Sequence, residues 1–268
     1  MHNNLGKIIV LLSSVLLFSC TSAPTEDTPK AKKDNFEVLM IGNSFTYYND
    51  LADLTNTMSK DLGIKWNAKA ITLGSHSLLE DCDPDDQLGK VILKDIKANQ
   101  YTDIILQDKS NYPYNHYTEF KKGVVGMKEI INTYQENADI TLYETWGYIS
   151  ENWVATIPEM EDVIRYNTAL VAKNNNLAVS YVGQAFTYIY ENYPDINLYH
   201  SDNRHPSFAG SYLAALIHLA TLTGLHVTNV KYQGEYGKVN EYQEVAFVSE
   251  ATKGILINIA EQVVFGKN

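Results

Sequence analysis

Short apolar runs recur along the chain from residue 36 onward, and each has the length of a β-strand. The first, FEVLMIG, is apolar apart from one glutamate, as expected for a strand buried on both faces of a parallel sheet. The runs that predict strands are 36–42, 66–73, 102–107, 138–146 and 177–183. Most segments between these runs are long enough to hold a helix that returns the chain to the same edge of a parallel sheet.

The segments between the runs carry apolar residues at helical spacing. Residues 117–136 illustrate this, since their apolar side chains share one helix face: Val124, Met127, Ile130, Ile131 and Tyr134. Helices are predicted over 50–62, 87–99, 117–136, 157–174, 207–224 and 242–264. The alternation predicts one α/β domain, a three-layer α/β/α sandwich with a five-stranded parallel sheet in the middle. Residues 223–243 interrupt the last two helices with Gly, Asn and aromatic residues, which predicts either a small hairpin or an irregular loop.

The N-terminal segment does not follow this pattern. Residues 1–20 combine Lys7 with an apolar run that is too short to span a bilayer but suits a signal peptide. LFSC, ending at Cys20, resembles a bacterial lipobox, which implies a lipidated Cys20 that anchors an exported lipoprotein to a membrane, facing the periplasm or the cell surface. Cleavage at an ordinary secretory site is the alternative. Residues 21–35 are polar and predict a flexible tether, so that the folded domain spans 36–268.

Cysteine content and charge argue against an internal disulfide and against a nucleic-acid partner. An acylated Cys20 leaves Cys82 without a partner, since the chain has 2 cysteines, so no internal disulfide is expected. The chain has 268 residues, 45% of them apolar, and a formal net charge of −11. No basic cluster is present that would neutralise a phosphate backbone, so nucleic acid is not expected as a partner.

Ser44 is the first candidate for chemistry. It follows the predicted strand in VLMIGNSFT, and the carboxyl ends of strands are where open α/β sheets bind their ligands. The alternative is that Asn43, Ser44 and Thr46 form a polar turn that caps the next helix.

A second candidate group lies far along the chain in LYHSDNRHPSFAG. Asp202 and His205 are three residues apart, just before a strongly apolar helix, so their side chains are expected to face the same way. Asp202 can then accept a hydrogen bond from His205 Nδ1 and leave Nε2 free to take a proton from a serine. Metal binding by His200, Asp202 and His205 is an alternative, and the carboxylates of CDPDDQ leave calcium open.

Together these segments resemble the SGNH (GDSL-like) hydrolase superfamily. IGNSFT, TLGSHSL, DIILQDKS and DNRHPS occur in the order of that family's sequence blocks, within residues 36–224. The chain is most similar to a bacterial branch in which GNSFT, a third block containing Gln, and segments like YETWG recur. The resemblance implies a flavodoxin-like sheet, with Ser44 as nucleophile, His205 as base and Asp202 as its orienting partner.

The resemblance also implies an oxyanion hole. Its donors would be the backbone N–H groups of Ser44 and Gly74 and the side-chain amide of Gln107. Gln107 stands where the superfamily has Asn, and a Gln amide is one methylene further from the backbone. Whether Gly74 or Ser75 provides the loop N–H stays open. The implied acyl transfer requires neither a metal nor an organic cofactor.

The function expected from this resemblance is a serine esterase for small acyl esters, such as O-acetyl groups on carbohydrates. Export and family analogy support the carbohydrate. Aromatic residues near predicted strand ends suit either sugar faces or ordinary packing: Tyr47, Tyr48, Tyr112, Tyr114, Trp146 and Tyr148. The alternative, which Gln107 keeps open, is a glycan-binding lipoprotein that retains the scaffold without efficient chemistry.

Overall fold

The computed structural model describes residues 33–149, 155–239 and 245–266. Its centre is a five-stranded parallel sheet in the order β2-β1-β3-β4-β5. The strands are β1 Asn35–Gly42, β2 Lys65–Thr72, β3 Asp103–Leu106, β4 Asp139–Glu144 and β5 Ala178–Tyr181. This is the flavodoxin-like order, and the five predicted strands are confirmed with small shifts at their ends. The direction of the strand order reverses between β1 and β3, where the residues after both strands meet.

The structure describes a short 3₁₀ helix at Tyr48–Asp50 and ten α-helices. They are α1 Ser44–Tyr47, α2 Leu51–Asp61, α3 Leu78–Asp81, α4 Gln87–Ala98, α5 Tyr112–Asn115, α6 Tyr117–Tyr134, α7 Ile157–Asn175, α8 Val182–Asn192, α9 Phe208–Thr223 and α10 Glu250–Phe265. The longer ones begin at side-chain caps where the sequence offers them, such as Asp86 for α4 and Ser207 for α9. Ser207 ends the loop that carries Asp202 and His205.

The alternation of side chains along β1 divides the core into two layers. Val38 and Met40 contribute to the apolar cluster that includes α9 and α2, whereas Leu39 and Ile41 belong to the cluster formed with α4 and α6. All four side chains are buried. A strand covered on both faces needs apolar residues at every position, which explains the continuous run in the sequence. The three-layer sandwich is therefore confirmed.

Three parts of the chain differ from the predicted pattern. The predicted fifth strand ends early because the chain enters α8 at Val182, and α8 was not predicted. Residues 223–243 contribute a strand, β6 Gly234–Val239, which pairs antiparallel with β7 Val245–Phe247. The predicted last helix was wrong at its start, since β7 occupies part of it and α10 begins at Glu250.

The N-terminal expectations fall outside the described residues. The predicted signal peptide, the lipidated Cys20 and most of the tether lie before Lys33, where the described part begins. From Lys33 onward the described residues belong to one compact unit. Within them, no helix combines the length and the apolar character needed to cross a bilayer.

Candidate active site

Ser44 lies where β1 passes into α1, at the carboxyl edge of the sheet. Gly42 ends β1, and a Cβ at this position would come within 2.6 Å of Gln107 Oε1 and of Thr46 Oγ1. A side chain at position 42 would therefore displace the hydrogen-bonded side chains of Gln107 and Thr46. Asn43 caps α1 and Ser44 is its first residue, with 8% of its surface exposed. The nucleophile candidate is thus placed at a sharp strand-to-helix turn.

His205 and Asp202 meet Ser44 from the loop that precedes α9. His205 Nε2 lies 2.8 Å from Ser44 Oγ, and His205 Nδ1 lies 2.6 Å from Asp202 Oδ2. The three side chains form one continuous hydrogen-bonded relay across 161 positions of sequence. Both ring nitrogens of His205 have protein partners, with Nδ1 facing Asp202 and Nε2 facing Ser44, which is the arrangement expected for a base in acyl transfer.

The loop itself is held at its two ends. Tyr199 and Pro206 form an antiparallel bridge, and the His200 N–H donates to His205 O at 2.8 Å. Asp202 stabilises the loop from within, because its Oδ1 accepts hydrogen bonds from the backbone N–H groups of Arg204 at 3.0 Å and His205 at 2.9 Å. Asp202 therefore orients both the backbone and the ring of His205.

These contacts also keep Asp202 ionised. Partial burial favours the neutral acid, but the hydrogen bonds from the His205 side chain and from the two N–H groups outweigh it and lower the pKa of Asp202 to about 2. A carboxylate beside Nδ1 favours the tautomer of His205 that leaves Nε2 able to accept a proton.

Aromatic rings fix the plane of the imidazole. Tyr48 stacks on His205 with ring centroids 4.3 Å apart and planes 4° apart, while Phe45 meets it edge-on at 5.6 Å. Behind Phe45, Trp146 stacks against it at 4.4 Å and is fully buried. Of the aromatic residues considered from the sequence, Trp146 and the buried Tyr148 thus belong to packing, not to an open binding surface.

Gln107 is close to the nucleophile but faces Asn43. Its Oε1 accepts the Asn43 N–H at 2.9 Å and the Thr46 hydroxyl at 3.0 Å. Its Nε2 donates to Asn43 Oδ1 at 3.0 Å and to Asp108 O. Both amide hydrogens are therefore used within the protein, and this does not agree with the predicted role of Gln107 as an oxyanion donor.

Asn43 is a residue whose importance the sequence did not reveal, beyond its place in a polar turn. Its Nδ2 donates to His76 O at 3.0 Å and to Asp108 O at 3.2 Å, and its Oδ1 also accepts the Phe45 N–H at 3.3 Å. With the contacts to Gln107, this buried side chain ties together the three loops that follow β1, β2 and β3. An Asn directly before a candidate nucleophile was the available signal.

Gly74 lies in an exposed turn after β2. The His76 N–H donates to Leu73 O at 3.3 Å, and Ser75 has a positive φ of 59°, as the third residue of a type II turn has. A Cβ on Gly74 would lie 3.2 Å from the Tyr47 hydroxyl, which places this turn beside α1. Among the described residues, no backbone acceptor pairs with the N–H of Gly74 or Ser75.

Comparison with known proteins identifies the fold. No family model matches the sequence, and no curated protein matches it. A DUF4886 family protein from Bacteroides uniformis superposes with a TM-score of 0.69 at 17% identity, covering 88% of this chain and 97% of that one. A protein described as an SGNH hydrolase, from Slackia heliotrinireducens, gives 0.60 at 23% identity, covering 70% and 99%. An acetyl-xylooligosaccharide esterase from Geobacillus gives 0.52 at 14% identity, covering 74% and 98%.

Proposed function

We propose that this chain, whose fold is that of the SGNH hydrolases, is a serine esterase. The observation that carries the proposal is the relay from Ser44 Oγ through His205 to Asp202, with heavy-atom distances of 2.8 and 2.6 Å. Such a relay is the arrangement that activates a hydroxyl for attack on a carbonyl. It also gives a specific reason to prefer catalysis over a glycan-binding role without chemistry.

In the proposed reaction His205 Nε2 takes the proton of Ser44 as its oxygen attacks the ester carbonyl. The imidazolium, stabilised by the ionised Asp202, then protonates the leaving alcohol, and an acyl-enzyme remains. Water attacks the acyl carbon while His205 Nε2 takes its proton, and the imidazolium returns a proton to Ser44 Oγ as the acid departs. The first proton moves over the 2.8 Å hydrogen bond between Ser44 Oγ and His205 Nε2, while Asp202 keeps its charge, so the attack needs no large rearrangement of the protein.

The oxyanion would be held by backbone N–H groups. Ser44 is the first residue of α1, where an N–H has no partner inside the helix, and Gly74 lies in the turn beside α1 with an N–H that pairs with no backbone acceptor among the described residues. Gln107 then affects catalysis indirectly, because its hydrogen bonds hold Asn43 and thereby fix the position of Ser44. We assign Gln107 a positioning role in place of direct contact with the oxyanion.

The proposed substrates are small acyl esters, in particular O-acetyl groups on carbohydrates. A neighbour in fold acts on acetylated xylo-oligosaccharides, which supports this choice. Beside the Gly74 turn, Tyr47 and Tyr48 stack on each other at 5.7 Å, and Tyr47 is 37% exposed. Rings with an apolar body and a polar tip suit the faces of sugars.

Hydrolysis of p-nitrophenyl acetate by the purified protein tests the serine esterase. Ser44→Ala should remove nearly all of the activity, by about 10⁶-fold in kcat if the relay acts as a unit. Ser201→Ala is the matched control, since this exposed serine lies in the same loop as Asp202 and should keep wild-type activity. Equal rates for wild type and Ser44→Ala would reject the proposal. Acetate release from acetylated xylan, compared with a longer acyl ester, tests the substrate.

We also propose that the protein is exported and held at a membrane through a lipid on Cys20. The lipobox-like LFSC and the polar segment after it support this proposal. In a bacterial host, the wild-type chain should be recovered with membranes, and Cys20→Ser should be released from them. Recovery of both proteins in the same fraction would contradict lipidation.

A further inference from the structure

Three ionisable side chains converge beside the Gly74 turn, outside the proposed relay. His76 Nε2 lies 2.9 Å from Asp86 Oδ1 and 3.6 Å from Asp81 Oδ1. The three atoms all fall within 4.8 Å of one another, and this is the one group of at least three such residues found in the described part of the chain. His76 comes from the loop after β2, Asp81 from the end of α3, and Asp86 from the cap of α4.

Asp81 gives this cluster its significance. Its side chain is 2% exposed, and its Oδ1, which points toward His76 Nε2, has no hydrogen-bond partner in the described structure. A buried carboxylate oxygen without a donor is costly, and such groups are normally paired or bound to a metal. The unsatisfied oxygen thus lies beside the hydrogen-bonded pair of His76 Nε2 and Asp86 Oδ1, and a cation among the three would replace the proton of that hydrogen bond.

The surroundings of the cluster are rich in negative charge. Asp108 is buried nearby and accepts the Leu78 N–H at 2.9 Å, while Glu80 caps α3 through Ser77. Burial, together with the charges of Asp108 and Asp86, raises the pKa of Asp81 to about 8. A cation bound among these side chains would offset the negative charge that they bring together.

We propose that His76 Nε2, Asp81 and Asp86 bind one divalent metal ion of the class that accepts imidazole, represented by Zn²⁺. Imidazole with carboxylates suits zinc and similar ions, whereas calcium and magnesium prefer oxygen ligands throughout. Ligand atoms about 2 Å from a tetrahedral ion lie about 3.3 Å apart, and the distances of 2.9 and 3.6 Å bracket that value. Open coordination positions would be filled by water.

Asp86 is already oriented for this role. Its Oδ1 accepts the N–H groups of Leu88 at 2.7 Å and Gly89 at 3.1 Å, as the cap of α4. Such hydrogen bonds behind a ligand fix its direction and strengthen binding. The carboxylate therefore does not have to be ordered when the ion arrives.

The ion would stabilise the loop that carries Gly74. The His76 carbonyl accepts from Asn43 Nδ2 at 3.0 Å, so the same residue contacts both the proposed metal and the residue before Ser44. Metal binding would cross-link this loop to α3 and α4. The proposal of a metal site does not depend on the esterase proposal, because the metal ligands and the residues of the relay are different.

The test is titration of the full-length chain, stripped with EDTA, with Zn²⁺ by calorimetry and by thermal unfolding. We expect a saturable site that raises Tm by several degrees at excess Zn²⁺. Asp81→Asn and His76→Gln should each weaken this site about 100-fold or more and remove the shift in Tm. Asp85→Asn is the matched control, since Asp85 is a highly exposed carboxylate of the same loop and should bind as wild type does.

The outcomes separate the possibilities. Loss of the site in both ligand variants, with Asp85→Asn unchanged, supports the proposal. Zn²⁺ binding that is equal in Asp81→Asn and in wild type would place the ion elsewhere and overturn it. A Tm shift with Ca²⁺ or Mg²⁺ but not with Zn²⁺ would overturn the assigned class of ion. If Asp81→Asn fails to fold, His76→Gln and Asp85→Asn still decide the question.

Discussion

Replacing Gln107 by Asn separates the two roles considered for this residue. Asn is the residue type of the superfamily at this block, so an oxyanion donor should tolerate the change. A positioning residue should not, because the shorter side chain cannot reach both the Asn43 N–H and the Thr46 hydroxyl from the same backbone. We expect Gln107→Asn to lower both stability and kcat.

The size of the effect follows from the contacts that are lost. Each hydrogen bond contributes about 0.5–1.5 kcal/mol net, and a buried polar group left without a partner costs about 1–3 kcal/mol. Losing two of the four contacts of Gln107 leaves two buried groups without a partner and should therefore lower the free energy of unfolding by about 2–6 kcal/mol. A displacement of Ser44 by about 1 Å would reduce kcat about 100-fold.

The assay compares kcat and urea unfolding for two variants. Gln135 is a similarly buried amide, which accepts the Tyr101 N–H at 2.9 Å and donates to Asn99 O at 2.8 Å, but it lies at the opposite end of β3. Gln135→Asn should lose similar stability and keep its kcat. Wild-type kcat in Gln107→Asn would refute the positioning role. An equal fall of kcat in Gln107→Asn and Gln135→Asn would show that the loss of activity comes from general destabilisation of the protein.

Three further predictions concern the relay and the core. Asp202→Asn should lower kcat by about 10⁴-fold with an unchanged circular dichroism spectrum, because the wrong tautomer of His205 is favoured; global unfolding would contradict this. Tyr48→Leu should lower kcat about tenfold while Tyr48→Phe retains it, since Phe keeps the ring that stacks on His205; equal losses in both variants would contradict a role of the ring alone. Burial lowers the pKa of His218 from 6.5 to about 3, so the unfolded chain binds a proton between these values that the folded protein does not. Stability should therefore fall as the pH drops below 6.5, and His218→Gln should reduce the slope by about 1 kcal/mol per pH unit between pH 6 and 4 in urea melts; an unchanged slope would contradict it.

Much of the sheet could be predicted because its central strands are covered on both faces. Such strands need apolar side chains at successive positions, and β1 shows this over Val38–Ile41. Helix α8 could not be found in this way, because β5 runs directly into it at Val182 and no side chain caps its start. An apolar run alone does not distinguish the end of a strand from the start of a buried helix.

In the candidate site, too, some residues could be predicted from local sequence patterns and others could not. Ser44 at a strand end and the spacing of Asp202 and His205 are local patterns, and the structure brings these residues together. The direction in which the Gln107 amide points is not local, since it depends on Asn43 from another strand. Asp81 in an acidic segment likewise looks solvated in the sequence, and only the packing of the surrounding loops buries it.

The most direct test of the account is covalent labelling with a serine-reactive fluorophosphonate, followed by peptide mass spectrometry. We predict a single adduct on Ser44 that is lost in Ser44→Ala and forms much more slowly in His205→Gln. An adduct on another residue, or none on folded wild-type protein, would contradict the central claim that His205 activates Ser44.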